Sequence, residues 1–433
     1  MKNFKYIYAL LMLCCTITFA QQTPASAQKD GFTIVGATAH IGNGTVIENS
    51  VIIVENGKIV SCFDGSVAKM DLKGKIIDAQ GKHVYPGFIG TNTNLGLVEV
   101  DAVRATNDRD ELGDMIPHIR SLIAYNAESK VVESMRPNGI LIAQVTPNGG
   151  RISGTSSIMQ LDAWNWEDAA LKADDGIHLN WPNSFSRGRW WLGEPRGLKP
   201  NSNYSKQVEE VRAFVTESKA YLNGDKASVN LPYEAMQGLF NGEQKLYVHV
   251  NDVKGITDAI HFVKNNGIKH MVIVGGYQAH LVTDLLKSNN VAVLINHTHS
   301  VPALDDHDYD LPYKAPKLLA DAGVLVGIQN GGMSNFQTRN LPFYAGQVVG
   351  QGMDKEEALK LITSNTAKIL GINKRVGTLE SGKDATLFIS EGDALDMRTN
   401  KLTHAFINGR ALSLETHQTK LWKRYSNKYK TGK

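Results

Sequence analysis

Residues 81–94 read GKHVYPGFIGTNTN, and the reading of this stretch decides the fold. Val84 to Ile89 is a short apolar run, interrupted by Pro86-Gly87 and followed by small polar residues, Thr91 to Asn94. A buried strand that delivers its C-terminal end to a polar rim has this composition. Upstream the pattern differs. Phe32–Val35, Val51–Val54 and Lys58–Val60 are apolar runs separated by Gly42-Asn43-Gly44 and Glu55-Asn56-Gly57. Asn-Gly between apolar runs predicts a hairpin, because both residues tolerate positive φ. Residues 31–82 therefore read as a small β-rich unit.

Downstream of Val84 the chain repeats strand, loop and helix. Strands are predicted at 83–90, 139–145, 157–162, 245–250, 270–275, 291–296 and 324–329. Ile256, Ala259, Ile260 and Val263 share one helical face, with Gly267 placed to end that helix. Asp354 and Glu357 form a capping-box pattern ahead of Ala358–Ile362. This alternation predicts a parallel sheet, and its length predicts a closed barrel over 83–374. A closed barrel of this type needs an eighth strand, expected within 163–244. That interval is irregular: Asn203–Leu222 has helical spacing, and Trp164, Trp166, Trp181, Trp190 and Trp191 crowd into a loop-like insertion. The insertion reads either as a lid or partner surface over a binding site, or as a satellite core. After Leu370-Gly371 the strand pattern returns, and residues 375–412 are expected to complete the β unit. Residues 413–433 form a basic tail; from Lys420 onward it carries six Lys/Arg and no acid. It reads as a solvated end or as a contact with an anionic membrane surface.

Composition narrows the function classes. Of 433 residues, 42% are hydrophobic and 21% charged, as in ordinary globular proteins. The formal charge of +3 gives no case for nucleic-acid binding. Residues 1–20 have the layout of a secretory signal peptide, with Lys2 and Lys5 ahead of the apolar run Tyr6–Phe19 and small residues before Gln21. The expected location is the periplasm or the medium. Only Cys62 remains after such a cleavage, so no internal disulfide or thiolate cluster is expected. No Gly-x-Ser-x-Gly elbow, phosphate-binding loop, Cys-x-x-Cys or dinucleotide fingerprint occurs. Gly149–Gly154 with Arg151 could face an anion, or could be a tight strand-end turn.

The stretch 81–94 also resembles the first barrel strand of the amidohydrolase superfamily, close to its imidazolonepropionase-like branch. The likeness extends through Gly149–Gly154, Val248-His249, Thr363–Ala367 with Leu370-Gly371, and Gly377–Ala385. It implies an α/β fold: a (β/α)8 TIM-type barrel with a small composite β-sandwich domain formed from both chain ends. It also implies hydrolysis of non-peptide C–N bonds, in amides or cyclic amides, at a zinc or other divalent metal. The family's metal site draws on strand ends, and the positions matching it here are Asn92, Asn94, His249, Gly275, Gln329 and Asn330. Only His249 is of the expected type. Amide oxygens are poor zinc ligands, and a catalytic zinc needs about three protein ligands. Amides at the last strand also cannot shuttle a proton.

These positions lead to the expectation of no cofactor and of a pseudoenzyme. Such a protein would bind a small amide-type ligand or pair with a catalytically active relative, as a homo- or hetero-oligomer. The alternative is an active hydrolase with a relocated or mononuclear metal site built from His249, His297 and His299. In an extended segment His297 and His299 point the same way, and Asp305, Asp306 and Asp308 follow soon after.

Overall fold

The structure is a computed structural model that describes residues 23–67, 71–194, 197–226, 228–331 and 335–430. The leader expected over residues 1–20 lies outside them.

Pro86-Gly87 is the joint between two sheets. His83–Pro86 pairs with Leu387–Ser390, matching Val84 to Ile389 and Tyr85 to Phe388. One residue past Gly87, the strand Phe88–Thr93 pairs with Ile140–Val145 instead. A side chain at Gly87 would press on Leu141 and Thr386, both about 3.0 Å from its Cβ. The run predicted as one strand is thus two, divided where proline withholds a ladder donor and glycine permits close approach.

The first sheet joins strands from both chain ends, among them Phe32–His40, Val46–Glu55, Lys58–Asp64, Leu387–Ser390 and Leu402–Ile407. The Asn56-Gly57 turn predicted for its hairpin has φ of 51° and 74°, the left-handed pair that such turns require. Ile34, Ile52, Val54, Leu387 and Phe406 form its core.

The second sheet is the barrel. Among the described residues it runs Phe88–Thr93, Ile140–Val145, Ile152–Gln160, Ala170–Asn180, Lys245–Val250, Met271–Gly275, Ala292–Ile295 and Val326–Ile328. The strand sought within 163–244 is Ala170–Asn180. One strand departs from the expected parallel order: Ile152–Gln160 runs antiparallel to both neighbours. The cause is connection length. Thr146–Arg151 is a short loop turned by Gly149 and Gly150, with φ of 86° and 56°. A parallel return needs a crossover of a dozen or more residues. First and last strands meet without a shared ladder. Ile89 donates to the Ile362 carbonyl, Ile328 to that of Leu361, and Asn330 to that of Thr91. The segment Leu361–Ile362 thereby closes the lower seam.

Alternation along Lys245–Val250 sorts the core. Leu246, Val248 and Val250 face outward to the helix Val253–Asn265, meeting Ile256, Ala259, Ile260 and Val263. Tyr247 faces inward, with Ile89, Ile142, Ile158, Val272 and Leu294. The outer helix is capped as its sequence predicts. The Asp252 carboxylate accepts the Gly255 N–H at 2.9 Å, and Gly267 adopts φ +65° just past its end. The Asp354 carboxylate likewise caps Lys355–Lys360, but Glu357 bonds Lys360 rather than completing the box.

The tryptophans of the insertion divide. Trp181 is buried; its indole N–H donates to the Tyr204 hydroxyl at 3.0 Å and its ring packs on Phe262. Trp190 and Trp191 are exposed, beside the two-stranded ribbon Phe185–Arg187 and Leu198–Pro200.

Candidate active site

The interior of the barrel is aliphatic in its lower layers and polar at the strand C-termini, the end where barrels of this type build sites. The first strand supplies Asn92 in the left-handed region, φ +51°, where the ladder slips between Gly90 and Thr93. Asparagine is among the few residues that accept this conformation. Its backbone N–H donates to Gln144 Oε1 at 3.1 Å, and its amide donates to Gln329 Oε1 at 2.9 Å. Asn94 turns elsewhere, donating to the Thr146 carbonyl at 2.7 Å and to Asn148 Oδ1 at 3.2 Å. The two asparagines therefore do not converge on one point.

From Asn92 a line of amides crosses the barrel mouth. Gln329 donates through Nε2 to Asn296 Oδ1 at 2.5 Å, and Asn296 donates through Nδ2 to Asn251 Oδ1 at 3.2 Å. Gln329 Oε1 also accepts the Gly331 N–H. The line passes from buried Asn92 and Gln329 to exposed Asn251. Gly275 has φ +100°, and a Cβ there would lie 2.7 Å from Asn251 Oδ1. A larger residue at 275 and Asn251 in its present place are mutually exclusive. Asn330 is buried, and neither atom of its side-chain amide finds a hydrogen-bond partner among the described residues.

Below this line lies a second network that the sequence did not reveal. His249 Nε2 and His178 Nδ1 stand 2.8 Å apart. His178 is wholly buried and stacks on Tyr247, with centroids 4.7 Å apart and planes 9° from parallel. The Tyr247 hydroxyl donates to Asp175 Oδ2, which also accepts from Gln144 Nε2 at 3.3 Å. Lys172 Nζ lies 2.5 Å from Asp175 Oδ1. Burial pushes the His249 imidazole down to about 4, and His178 well below its ordinary range, further opposed by the His249 charge. Burial and then the Asp175 charge raise Tyr247 well above the usual phenol range. At neutral pH the pair is uncharged, one ring donating to the other. Gly176 makes room for this stack: a Cβ there would fall 2.4 Å from the Lys245 carbonyl and 2.6 Å from the Tyr247 ring.

His297 and His299 lie elsewhere. Both pack on Tyr344, at centroid distances of 5.6 and 4.9 Å, and Thr298 between them donates to the Tyr344 carbonyl. Among the described residues, no group of three or more His, Cys, Asp or Glu could hold a metal, so the structure does not gather His249, His297 and His299 into one.

The rim encloses a cavity of about 900 Å³. Asn251 and Asn296 form its floor, with Arg151, Arg187, Tyr277 and His307 around it. The backbone N–H groups of Arg151 and Ile152 both donate to the Asp114 carbonyl, so the glycine-rich turn offers neither to an anion. Arg151 does line the cavity. Its guanidinium donates to the Asn180 carbonyl at 2.8 Å, and no ion pair to a carboxylate is found for it among the described residues. Arg187 is bound to the Ala303 carbonyl. A cavity of about 870 Å³ opens at the other end of the barrel, beside Lys245, His270 and Asn290, which precede the strands or begin them. The polar networks lead to the first cavity, and the site is assigned there.

Sequence reasoning placed Asn92, His249, Gln329 and Asn330 at the mouth but passed over Gln144, Asp175, His178, Asn251 and Asn296. For His178 a signal existed: Gly176, His178 and Asn180 alternate with apolar Ile177 and Leu179, a strand pattern inside the supposed insertion.

Residues 197–412 match the amidohydrolase family. The chain is 22% identical over 418 residues to an imidazolonepropionase from Thermoplasma volcanium, covering 90% of this chain and 98% of the relative. It is 24% identical to a 5-methylthioadenosine/S-adenosylhomocysteine deaminase from Bacillus cereus, covering 78% and 80%. An amidohydrolase from Thermotoga maritima has the same fold, with a TM-score of 0.77 at 21% identity over 88% of this chain and 99% of that one. An adenosine deaminase from Xanthomonas campestris with bound zinc superposes with a TM-score of 0.53 at 13% identity, covering 92% and 98%. The family match, the deaminase relative and the zinc in this neighbour together correct the expectation of no cofactor. The residues at the matching positions here nevertheless do not form a multi-histidine site. Asn92 is engaged with Gln329, Gly275 has no room for a ligand side chain, and His249 is bonded to His178. The residues present at these positions therefore do not fit a divalent metal. By its matched residues, its relatives and its barrel, this chain belongs to the amidohydrolase superfamily.

Proposed function

We propose that this amidohydrolase is a catalytically impaired binding protein whose barrel mouth holds a small ligand bearing an amide and a carboxylate. The observation that carries this reading is the amide line Asn92–Gln329–Asn296–Asn251, which ends in the floor of a cavity beside Arg151. Amides donate and accept hydrogen bonds but do not titrate, so this rim suits recognition of another amide rather than proton transfer. His249, held low by burial, is a weak base at neutral pH. An Arg151 guanidinium without a carboxylate partner among the described residues matches a carboxylate. The cavity, at about 900 Å³, is within the range for small-molecule sites.

Calorimetric titration with N-acetyl amino acids and their methyl esters tests this. The acids are expected to bind and the esters to bind at least tenfold more weakly. Arg151→Met is expected to weaken the acids by roughly 10- to 100-fold, the value of a charge-assisted hydrogen bond. Hydrolysis is followed in the same samples with zinc supplied. Turnover at ordinary enzyme rates, on the order of 1 per second or more, that is lost in His249→Ala would replace this reading with that of an active hydrolase.

We also infer export to the periplasm or medium, on the strength of the leader pattern in residues 1–20. Mass spectrometry of protein from the native host is expected to show Gln21 as the first residue. Recovery of chains that retain Met1 would overturn it.

A further inference from the structure

The helix His417–Lys430 presents an amphipathic surface that the barrel does not use. None of its residues is buried. At its start the His417 N–H donates to Glu133 Oε1 at 2.7 Å, and Lys423 reaches back to Glu415. The Thr416 hydroxyl accepts the Thr419 N–H and caps the first turn.

Beyond that turn, Leu421, Trp422, Tyr425 and Tyr429 follow helical spacing, and all four are exposed, Trp422 by 66% and Tyr429 by 72%. At 3.6 residues per turn they fall within a stripe roughly 100° wide. Lys420, Lys423, Arg424, Lys428 and Lys430 occupy the remaining arc, and no acid occurs between His417 and Lys430. Arg424 lies over the Tyr425 ring and Lys428 over Tyr429, so cations border the aromatic stripe. A 14-residue helix with no buried face is marginal in water by itself.

We propose that this helix docks the protein on an anionic lipid bilayer, lying in the plane of the interface. Trp and Tyr are the residues that settle at headgroup level, with an apolar body toward the acyl chains and a polar tip toward water. The surrounding cations meet the negative surface, each strengthening binding by about fivefold. The charge is of one sign, the apolar stripe is narrow, and the element is too short and too polar to cross a bilayer; together these describe an interfacial helix. The proposal is independent of the ligand assigned to the barrel mouth.

The full chain is sedimented with vesicles of phosphatidylcholine, with and without about one-third phosphatidylglycerol, at about 0.1 M salt. Binding is expected to the anionic vesicles, falling as salt rises, with little binding to phosphatidylcholine alone. Two double variants, Lys423→Glu with Arg424→Glu and Trp422→Ala with Tyr425→Ala, are each expected to weaken binding at least tenfold. All four positions are exposed, and an unchanged urea midpoint checks that the fold is intact. Equal binding by the variants, or no binding to anionic vesicles, would overturn the proposal. So would a concentration-dependent oligomer that binds no vesicles and dissociates in the aromatic variant, which would assign this face to a second copy of the chain.

Discussion

Asp175→Ala is expected to destabilise the protein by about 3–5 kcal/mol, the cost of breaking a buried charged network by removing one member. The carboxylate is fully buried and accepts from Lys172, the Tyr247 hydroxyl and Gln144. Removing it takes away the acceptor these groups share, leaving Lys172 with the Leu370 carbonyl at 3.0 Å and Gln144 Nε2 with Ser156 Oγ at 3.3 Å. Asp175→Asn keeps the volume and one acceptor oxygen but turns an amide N–H₂ toward Lys172, and is expected to cost less, about 1–3 kcal/mol. Urea unfolding at neutral pH reads both. A midpoint for Asp175→Ala equal to that of the wild type would show that the network contributes nothing to stability. The effect should reach the site as well. Tyr247 is the surface on which His178 stacks, and Gln144 holds the backbone of Asn92. A loosened Asp175 should therefore also weaken ligand binding at the mouth.

Acid is expected to destabilise the protein through His178 and His249 well before the carboxylates titrate. Both imidazoles are pushed below the ordinary value of 6.5, His249 to about 4. Above pH 6.5 both are neutral, folded or unfolded, and stability is at its full value. Below pH 6.5 the unfolded chain takes up protons that the folded chain refuses, so stability falls as pH falls. For His249 the loss levels off near pH 4, by when it amounts to about 3 kcal/mol at most. His178 contributes in the same direction. His83, His280, His297, His299 and His404 are also lowered, chiefly by burial, and steepen the same limb. Urea midpoints between pH 7.5 and 4.5 measure the slope. His249→Gln keeps a group able to bond His178 but cannot titrate, so its slope should be shallower by up to one proton. An identical slope in the variant would remove His249 from the account.

Much of the scaffold was legible because it is written in local pattern. Period-two apolar runs placed the strands, period-3.6 runs placed Val253–Asn265, and Gly267 and Asp354 marked helix ends by rules that need no tertiary information. The division at Pro86-Gly87 was visible as an interruption, although not as a passage from one sheet to another. The direction of Ile152–Gln160 was not legible. It depends on how few residues separate it from its neighbours once the true strand limits are known, and those limits were misjudged by several residues.

The site was legible to a lesser degree. Sequence by itself determined which side-chain types stand at the strand ends: amides at 92, 94, 329 and 330, a glycine at 275, a histidine at 249. Only the tertiary structure decided which of them act together. Asn92, in the strand Phe88–Thr93, and Asn94, just past its end, part company, because φ at Asn92 is positive and turns the chain between them. His178 meets His249 across a strand pair in which His178 lies opposite Tyr247, and Asn180 opposite His249. A shift of one residue would send every side chain of one strand to the other face and abolish that pair. The histidines at 297 and 299 keep the spacing of a metal motif, but packing places both on Tyr344. Spacing along a chain fixes which face a side chain takes, whereas register between distant strands fixes what it touches, and the chemistry of this barrel depends on the second.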